Sequence, residues 1–341
     1  MITVYLQSPG QIGLREAPEP TPGPGQALLR VRAAGVCGSD IGAFRGANPL
    51  VKYPRVLGHE LACEVVSVPG DPEQNPRGFR PGDAVAVDPY LFCGRCYPCS
   101  IGRTNCCEAL RVLGVHVDGG MAEYFAHPAD MLIRLPPGLD WVRAALAEPL
   151  AIALHGLRRA SLKAGERIAI SGAGPIGLLA AMASIRAGAV PIMIDPLESR
   201  LQAAQALGVR HALRPGPGLA GEIAAITGGR MAEAVMEASG AAQAVAASLE
   251  IASHAGRVVL TGWPKAAITL DTAIITRKEL TVSGARTSGA SELGEALSII
   301  AGGEADVSAL LTRVVPAADL PGAIREISDH PERFMKVVAT F

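Results

Sequence analysis

The sequence predicts an α/β protein: a doubly wound parallel sheet joined to a second, β-rich domain. Three observations carry that expectation. Across residues 148–279 strand and helix patterns alternate, with strands expected near 167–171, 190–195, 210–213, 232–237 and 257–262 and alanine-rich helices between them. Such alternation lays helices on both faces of a parallel sheet. Residues 1–147 read differently, as short strand-like runs at 3–6, 27–34, 62–68 and 84–87 separated by PEPTPGPG (18–25), PGDPEQNPRG (69–78) and PPG (136–138). Those Pro/Gly clusters stop strands and make turns. The tail, 280–341, starts with a strand-like segment spanning 279–283, then has a helix near 291–302 and a strand near 335–341.

The organising stretch is IAISGAGPIGLLAAMASI, 168–185. Its β-branched opening reads as a buried strand, and Gly172, Gly174 and Gly177 follow as G-x-G-x-x-G before an apolar helical run. The first glycine permits the tight turn, the second lets backbone approach a pyrophosphate, and the third lets the helix lie against its strand. The diphosphate would rest on the helix N-terminus, which begins at Pro175 and Ile176, where free N–H groups and the macrodipole favour negative charge. A second apolar strand, 190–194, ends in Asp195, 23 residues after Gly172. A carboxylate there accepts hydrogen bonds from an adenosine ribose and repels a 2′-phosphate, which favours NAD over NADP. Arg200 completes the cofactor-binding set. The 18 residues are uncharged and long enough for a membrane span, yet three glycines and a proline at motif spacing fit strand plus buried helix better.

At 341 residues and 49% hydrophobic composition the chain can bury a sizeable core in one or two domains. A formal charge of −1 gives no electrostatic reason to bind nucleic acid or an anionic membrane. The start, MITVYLQSPG, lacks the basic and long apolar regions of a signal peptide, so a cytoplasmic location is expected. No internal repeats are visible.

Seven cysteines are present, and Cys93, Cys96, Cys99 and Cys107 form C-x2-C-x2-C-x7-C. In a cytosolic chain this spacing argues for metal over disulfides. Four thiolates fill a tetrahedral zinc shell and leave no open position, so such a site is structural; an iron–sulfur cluster or free thiols are the alternatives. Cys106 is a neighbour that could exchange with Cys107.

Upstream lie GVCGSD (35–40) and then Gly58-His59-Glu60, and downstream Glu148-Pro149 opens the first helix leading into the nucleotide domain. Cys37, His59 and a carboxylate are a workable catalytic zinc set, leaving the fourth place to water or substrate. With a nicotinamide site in the same chain, the combination suggests oxidation of an alcohol whose hydroxyl pKa the metal lowers. Ser39, two residues beyond Cys37, is placed to relay the released proton; the plainer reading is a turn serine.

Taken together, GVCGSD (35–40), YPRVLGHE (53–60), GDAVAV (82–87), CGRCYPCSIGRTNCC (93–107), DGGMAEY (118–124), AEPLAIALH (147–155), GAGPIG (172–177) and KVVATF (336–341) resemble the zinc-dependent medium-chain alcohol/polyol dehydrogenases over essentially the full length. The resemblance implies a GroES-like catalytic domain from both chain ends (1–147 and 280–341, with a zinc lobe at 91–108) around a Rossmann domain (148–279). It also implies one catalytic and one structural zinc, NAD, and a homodimer or homotetramer. Family spacing favours Cys107 over Cys106. Glu148 stands where many alcohol dehydrogenases carry a second cysteine, as in the sorbitol dehydrogenase-like branch. The implied catalytic ligands are Cys37, His59 and Glu60, with Glu148 binding directly or through water.

The run GRTNCCEALRVLGVHVDGG (102–120) looks most like bacterial sugar-acid dehydrogenases that oxidise L-galactonate or L-gulonate at C5. A carboxylate substrate calls for a cation, and Arg286, in SGARTSG, resembles a substrate-side arginine; His116 is a second candidate. His127, His155, His211, His254 and His330 sit in no metal-like spacing. The expected activity is NAD- and zinc-dependent oxidation of a sugar acid or polyol, with sorbitol or L-threonine dehydrogenase as alternatives. A non-catalytic metabolite sensor would lack the ligands that are present here.

Overall fold

The computed structural model describes all 341 residues except for the side chain of Pro72, which lies within the 69–78 separator. The chain divides into two compact units, one formed by residues 1–148 and 288–341 and the other by 149–287.

The first unit is built on antiparallel strands. A seven-stranded sheet centres on Gln26–Gly35, which pairs with Glu60–Ser67, Tyr124–Pro128 and Lys336–Thr340. Alternation explains the centre strand: in QALLRVRAAG the apolar Leu29, Val31 and Ala33 are fully buried and Arg30 is exposed. The tail closes this unit. Leu311–Pro316 and Lys336–Thr340 run parallel to each other, and Val338 faces Gly35. Between them the helix Leu320–Asp329 buries Leu320, Ala323 and Ile324. A small three-stranded sheet, Ile2–Ser8, Gln11–Glu16 and Arg55–Val56, covers the same core of Val4, Leu6, Leu57 and Met121. The cysteine lobe is a satellite, tied by the two-stranded ribbon Tyr90–Leu91 with Arg111–Val112 and cored by Tyr90, Cys107 and Leu110.

The second unit is a six-stranded, all-parallel sheet in the order His211–Leu213, Val190–Ile194, Arg167–Ser171, Ala232–Glu237, Ala252–Leu260, Thr281–Gly284. Numbered by chain position this is 3-2-1-4-5-6, the order of a dinucleotide-binding sheet. The strand order reverses beside Arg167–Ser171, and the glycine turn leaves from that strand's carboxyl end.

Two boundaries differ from the sequence reading. The resemblance puts the tail with the first domain from residue 280, yet Thr281–Gly284 pairs in parallel with Ala252–Leu260 and is the sixth strand of the nucleotide sheet, so the second crossover falls at 287/288. Three of its four residues are exposed, Val282 included, because an edge strand covers little apolar surface, so its own pattern does not show which sheet it joins. The fifth strand starts at Ala252 and not near 257. The Val258–Val259 pair carries the visible β signal, while Ser253–Gly256 is irregular, with Ala255 at φ 54°.

Candidate active site and metal centres

The antiparallel register of two strands assembles the first cluster. Gly35 ends its strand opposite Glu60, the first residue of the neighbouring strand, so Cys37, two residues further on, meets His59 and Glu60. A Cβ on residue 35 would collide with the Glu60 carboxylate, so glycine here makes room for that side chain. Cys37 is the N-cap of the helix Gly38–Phe44, and Asp40 Oδ2 accepts its backbone N–H at 2.9 Å. The donor atoms of Cys37, His59 and Glu60 all lie within 4.8 Å of one another.

Around them the charges do not balance. Glu60 Oε1 accepts from the ammonium of Lys336, both side chains being buried. Glu148 Oε1 accepts from the hydroxyl of Tyr90, also buried. Asp40 Oδ1 stands 3.9 Å from His59 Nδ1. Cys37, Asp40, Glu60 and Glu148 therefore face Lys336 as the one permanent cation among them. Burial disfavours an imidazolium at His59, but Cys37, Asp40 and Glu148 outweigh burial and raise its pKa well above the usual value. Burial also lifts the Glu148 carboxyl to about 7. The second oxygens of Glu60 and Glu148, His59 Nδ1, Asp40 Oδ1 and Ser39 Oγ are buried without hydrogen-bond partners. Convergent sulfur, nitrogen and oxygen donors with uncompensated negative charge and orphaned atoms fit a divalent cation such as zinc. Of the two glutamates, Glu60 belongs to the tight donor set and Glu148 does not.

Cys93, Cys96, Cys99 and Cys107 form the second cluster, again within 4.8 Å. Cys96 Sγ lies 3.4 Å from Cys99 Sγ and 3.8 Å from Cys107 Sγ, near the roughly 3.8 Å edge of a tetrahedron with bonds of about 2.3 Å. Backbone N–H groups of Arg95 and Cys96 aim at Cys93 and bring its thiol down to about 6, which prepares a thiolate. Cys106 is outside the cluster, on the turn Thr104–Cys106.

In the second unit, the three glycines of the turn have distinct surroundings. Gly172 has φ 100°, and a Cβ there would press on Ser239. A Cβ on Gly177 would strike the Gly172 carbonyl and touch Ile170, so this glycine sets how closely the helix Pro175–Arg186 approaches its strand. Gly174, the helix N-cap, has open space. Asp195 is nearly buried; Oδ2 accepts from Ala173 N–H at 2.8 Å and Oδ1 from Leu197 N–H at 2.9 Å. It therefore fixes the turn itself as well as ending the second strand. Arg200 is half-buried, with its guanidinium in the field of Asp195.

The substrate candidates are less converged. Arg286 is exposed and lies in the nucleotide-sheet unit, separate from the unit that holds the Cys37 cluster. His116 Nδ1 accepts the Val112 N–H at 3.1 Å, which uses that nitrogen to hold the turn after the cysteine lobe. Ser39 does not act as a cap: Asp40 does, and the Ser39 hydroxyl is buried without a partner.

Lys336, Tyr90 and Asp40 are the residues that sequence reasoning missed. Asp40 carried a local signal, three residues after Cys37 at a helix start. Lys336 and Tyr90 carried none, since their partners lie 276 and 58 residues away.

Residues 23–137 match the alcohol dehydrogenase GroES-like domain and residues 175–302 the zinc-binding dehydrogenase domain. A zinc-type alcohol dehydrogenase-like protein of Haemophilus influenzae is 48% identical over 99% of this chain and 98% of its own. L-galactonate-5-dehydrogenase of Escherichia coli K12 is 33% identical over 100% and 99%. Among solved structures, an alcohol dehydrogenase of Escherichia coli CFT073 complexed with NADH superposes with TM-score 0.92 at 31% identity, covering 100% of this chain and 99% of its own. A zinc-binding dehydrogenase of Sinorhizobium meliloti bound to NADP gives 0.90 at 30%, over 100% and 99%. The chain belongs to the zinc-dependent medium-chain alcohol/polyol dehydrogenase family. It is an oxidoreductase of that family. Among the described residues no helix is long and apolar enough to cross a membrane.

Proposed function

We propose that this oxidoreductase is an NAD-linked dehydrogenase of a sugar acid, oxidising the C5 hydroxyl of L-galactonate or L-gulonate to the 5-keto acid, with a zinc ion at each cluster. The observation that carries the reading is the convergence of half-buried Cys37 with buried His59 and Glu60, with orphaned donor atoms among them. When bound, zinc supplies Lewis-acid polarisation of a hydroxyl and NAD supplies the hydride acceptor.

The chain's own residues do the rest. Cys37 and His59 are held by a strand register and a helix cap, so the donors are fixed before a ligand arrives. Lys336 neutralises one oxygen of Glu60 and leaves the other as a donor. The Ser39 hydroxyl, two residues from Cys37 and without a partner, can take and pass on a proton at Oγ. Asp195 sets the cofactor preference, since a carboxylate at the end of the second strand repels a 2′-phosphate. Arg286 is assigned to the substrate carboxylate on the resemblance alone, and His116 stands second to it. The sugar-acid assignment is supported by the likeness to L-galactonate-5-dehydrogenase over the whole chain. We place the enzyme in the cytoplasm as a homodimer or homotetramer.

The test is reduced-cofactor formation across hexonates, pentitols, hexitols and threonine, each with NAD and NADP, with and without chelator. Turnover of an aldonate with NAD, abolished by the chelator and by Cys37→Ala, is expected. Threonine or hexitol turnover without aldonate turnover would select a threonine or polyol dehydrogenase instead. Activity untouched by Cys37→Ala would remove the metal centre from the chemistry.

A further inference from the structure

We propose that Tyr90 is a positioning residue that couples the four-cysteine lobe to the active site: its ring belongs to the lobe's core and its hydroxyl fixes Glu148. The inference rests on the reading of Cys37, His59 and Glu60 as a metal centre. Tyr90 is buried and packs with Cys107 and Leu110, with Cys93, Cys96, Cys99 and Val112 around them. It opens the ribbon that closes the lobe, facing Val112 across the pair. Its backbone is fixed from the other side as well. The Tyr90 N–H donates to Asp88 Oδ1 at 3.1 Å, and the Asp88 carbonyl accepts from the His127 ring at 2.9 Å. At the far end of the ring, the hydroxyl donates to Glu148 Oε1, while Oε2 is buried with no partner.

The two glutamates are thereby anchored by different chemistry. Lys336 gives Glu60 a full countercharge; Tyr90 gives Glu148 a neutral donor that orients the carboxylate without cancelling it. Burial and the neighbouring carboxylate both hold the phenol protonated, so it remains a donor. Without the hydroxyl, both oxygens of a buried carboxylate would lack partners, a state that the group leaves by turning toward positive charge. The positive charges that act on it are His59 and Lys336, and a carboxylate drawn toward His59 competes with a metal for that imidazole. Glu148 is then the partner one step removed from a ligand, since it acts on His59, and such partners typically change a metal's affinity by about 10- to 100-fold. The four-cysteine cluster thus sets the position of an active-site carboxylate through one aromatic ring.

The experiment is a cobalt(II) titration of the metal-free enzyme followed by visible absorption, with Cys37→Ala supplying the spectrum of the lobe alone. Tyr90→Phe keeps the ring and removes only the hydroxyl. Its lobe signal should match wild type, while the Cys37-dependent band shifts and its cobalt affinity falls about tenfold. Cys99→Ser, which disables the lobe, should give the same change at the Cys37 centre, and the double variant should be no worse than either single one. Should Cys99→Ser not fold, Leu110→Ala loosens the same core without touching a thiolate and serves in its place. A Tyr90→Phe protein with a wild-type Cys37-dependent band and affinity would overturn the coupling, as would additive effects in the double variant. Absence of any Cys37-dependent band in the wild type would instead overturn the metal-centre reading.

Discussion

At His127, on the buried face of the strand Tyr124–Pro128, burial pushes the imidazole down to about 4, partly offset by its bond to the Asp88 carbonyl. An unfolded chain would titrate this ring near 6.5. Below that pH the unfolded state takes up a proton that the fold refuses, so the stabilisation is complete above 6.5 and lost as pH falls toward 4. The Asp88 carboxyl behaves oppositely: burial raises it to about 7, so its effect weakens the fold as pH rises over an overlapping window. Subtracting one protein from another isolates the histidine. Unfolding free energies from urea titration of wild type and of His127→Gln, which keeps a donor for the Asp88 carbonyl, should diverge in favour of wild type by up to about 3 kcal/mol as pH rises from 4 to 6.5. A difference independent of pH would mean that the ring titrates normally. The sequence showed only that His127 lacked ligand spacing. Its burial, like the Lys336–Glu60 pair, comes from strands brought together by distant segments. By contrast Cys37, His59, Glu60 and the four lobe cysteines were legible, because metal donors must be sulfur, nitrogen or carboxylate oxygen and short spacings betray them.

At the scale of elements, the glycine turn was the most readable part of the chain. Its three demands are local: a positive φ at Gly172, open space at Gly174 and a close carbonyl at Gly177. Those demands separate folding from binding. Gly177→Ala puts a methyl on the Gly172 carbonyl, so the helix Pro175–Arg186 must shift off its strand, at about 1–3 kcal/mol. Gly174→Ala meets nothing within 4 Å at an ordinary φ of −75°. Its melting temperature should stay at the wild-type value, while NADH affinity measured by fluorescence falls because the methyl occupies the pyrophosphate approach. Gly177→Ala should lower both. Loss of stability in Gly174→Ala with affinity intact would reverse the roles assigned to the two positions. Elements without such punctuation were missed or misplaced: the edge strand Thr281–Gly284 and the strand Leu311–Pro316 carry mixed polar faces. Pairing, and not its own pattern, decides that Leu311–Pro316 is a strand, and pairing decides which sheet Thr281–Gly284 joins.

For the molecule as a whole, the consequence lies in a unit assembled from both ends of the chain. Residues after 287 contribute Val315, Leu320, Ala323, Ile324, Phe334, Val337 and Ala339 to the first unit's core, all buried. They also provide the strand that pairs with Gly35 and its neighbours, and the lysine on Glu60. Burial of a large apolar side chain is worth about 1.5–3 kcal/mol, and Val315, Leu320, Ile324, Phe334 and Val337 alone reach roughly 7–15 kcal/mol, comparable to the whole stability of a typical domain. Residues 1–148 should therefore be unable to fold without the tail, whereas 149–287 hold all six strands of their own sheet. A chain ended after residue 287 should expose 1–148 to rapid proteolysis and lose the Cys37-dependent cobalt band, while a protease-resistant fragment starting near residue 149 survives. Resistance of residues 1–148 in that shortened chain would show that the antiparallel sheet stands without its last two strands, and that the tail's contribution to the core is far smaller than its burial implies.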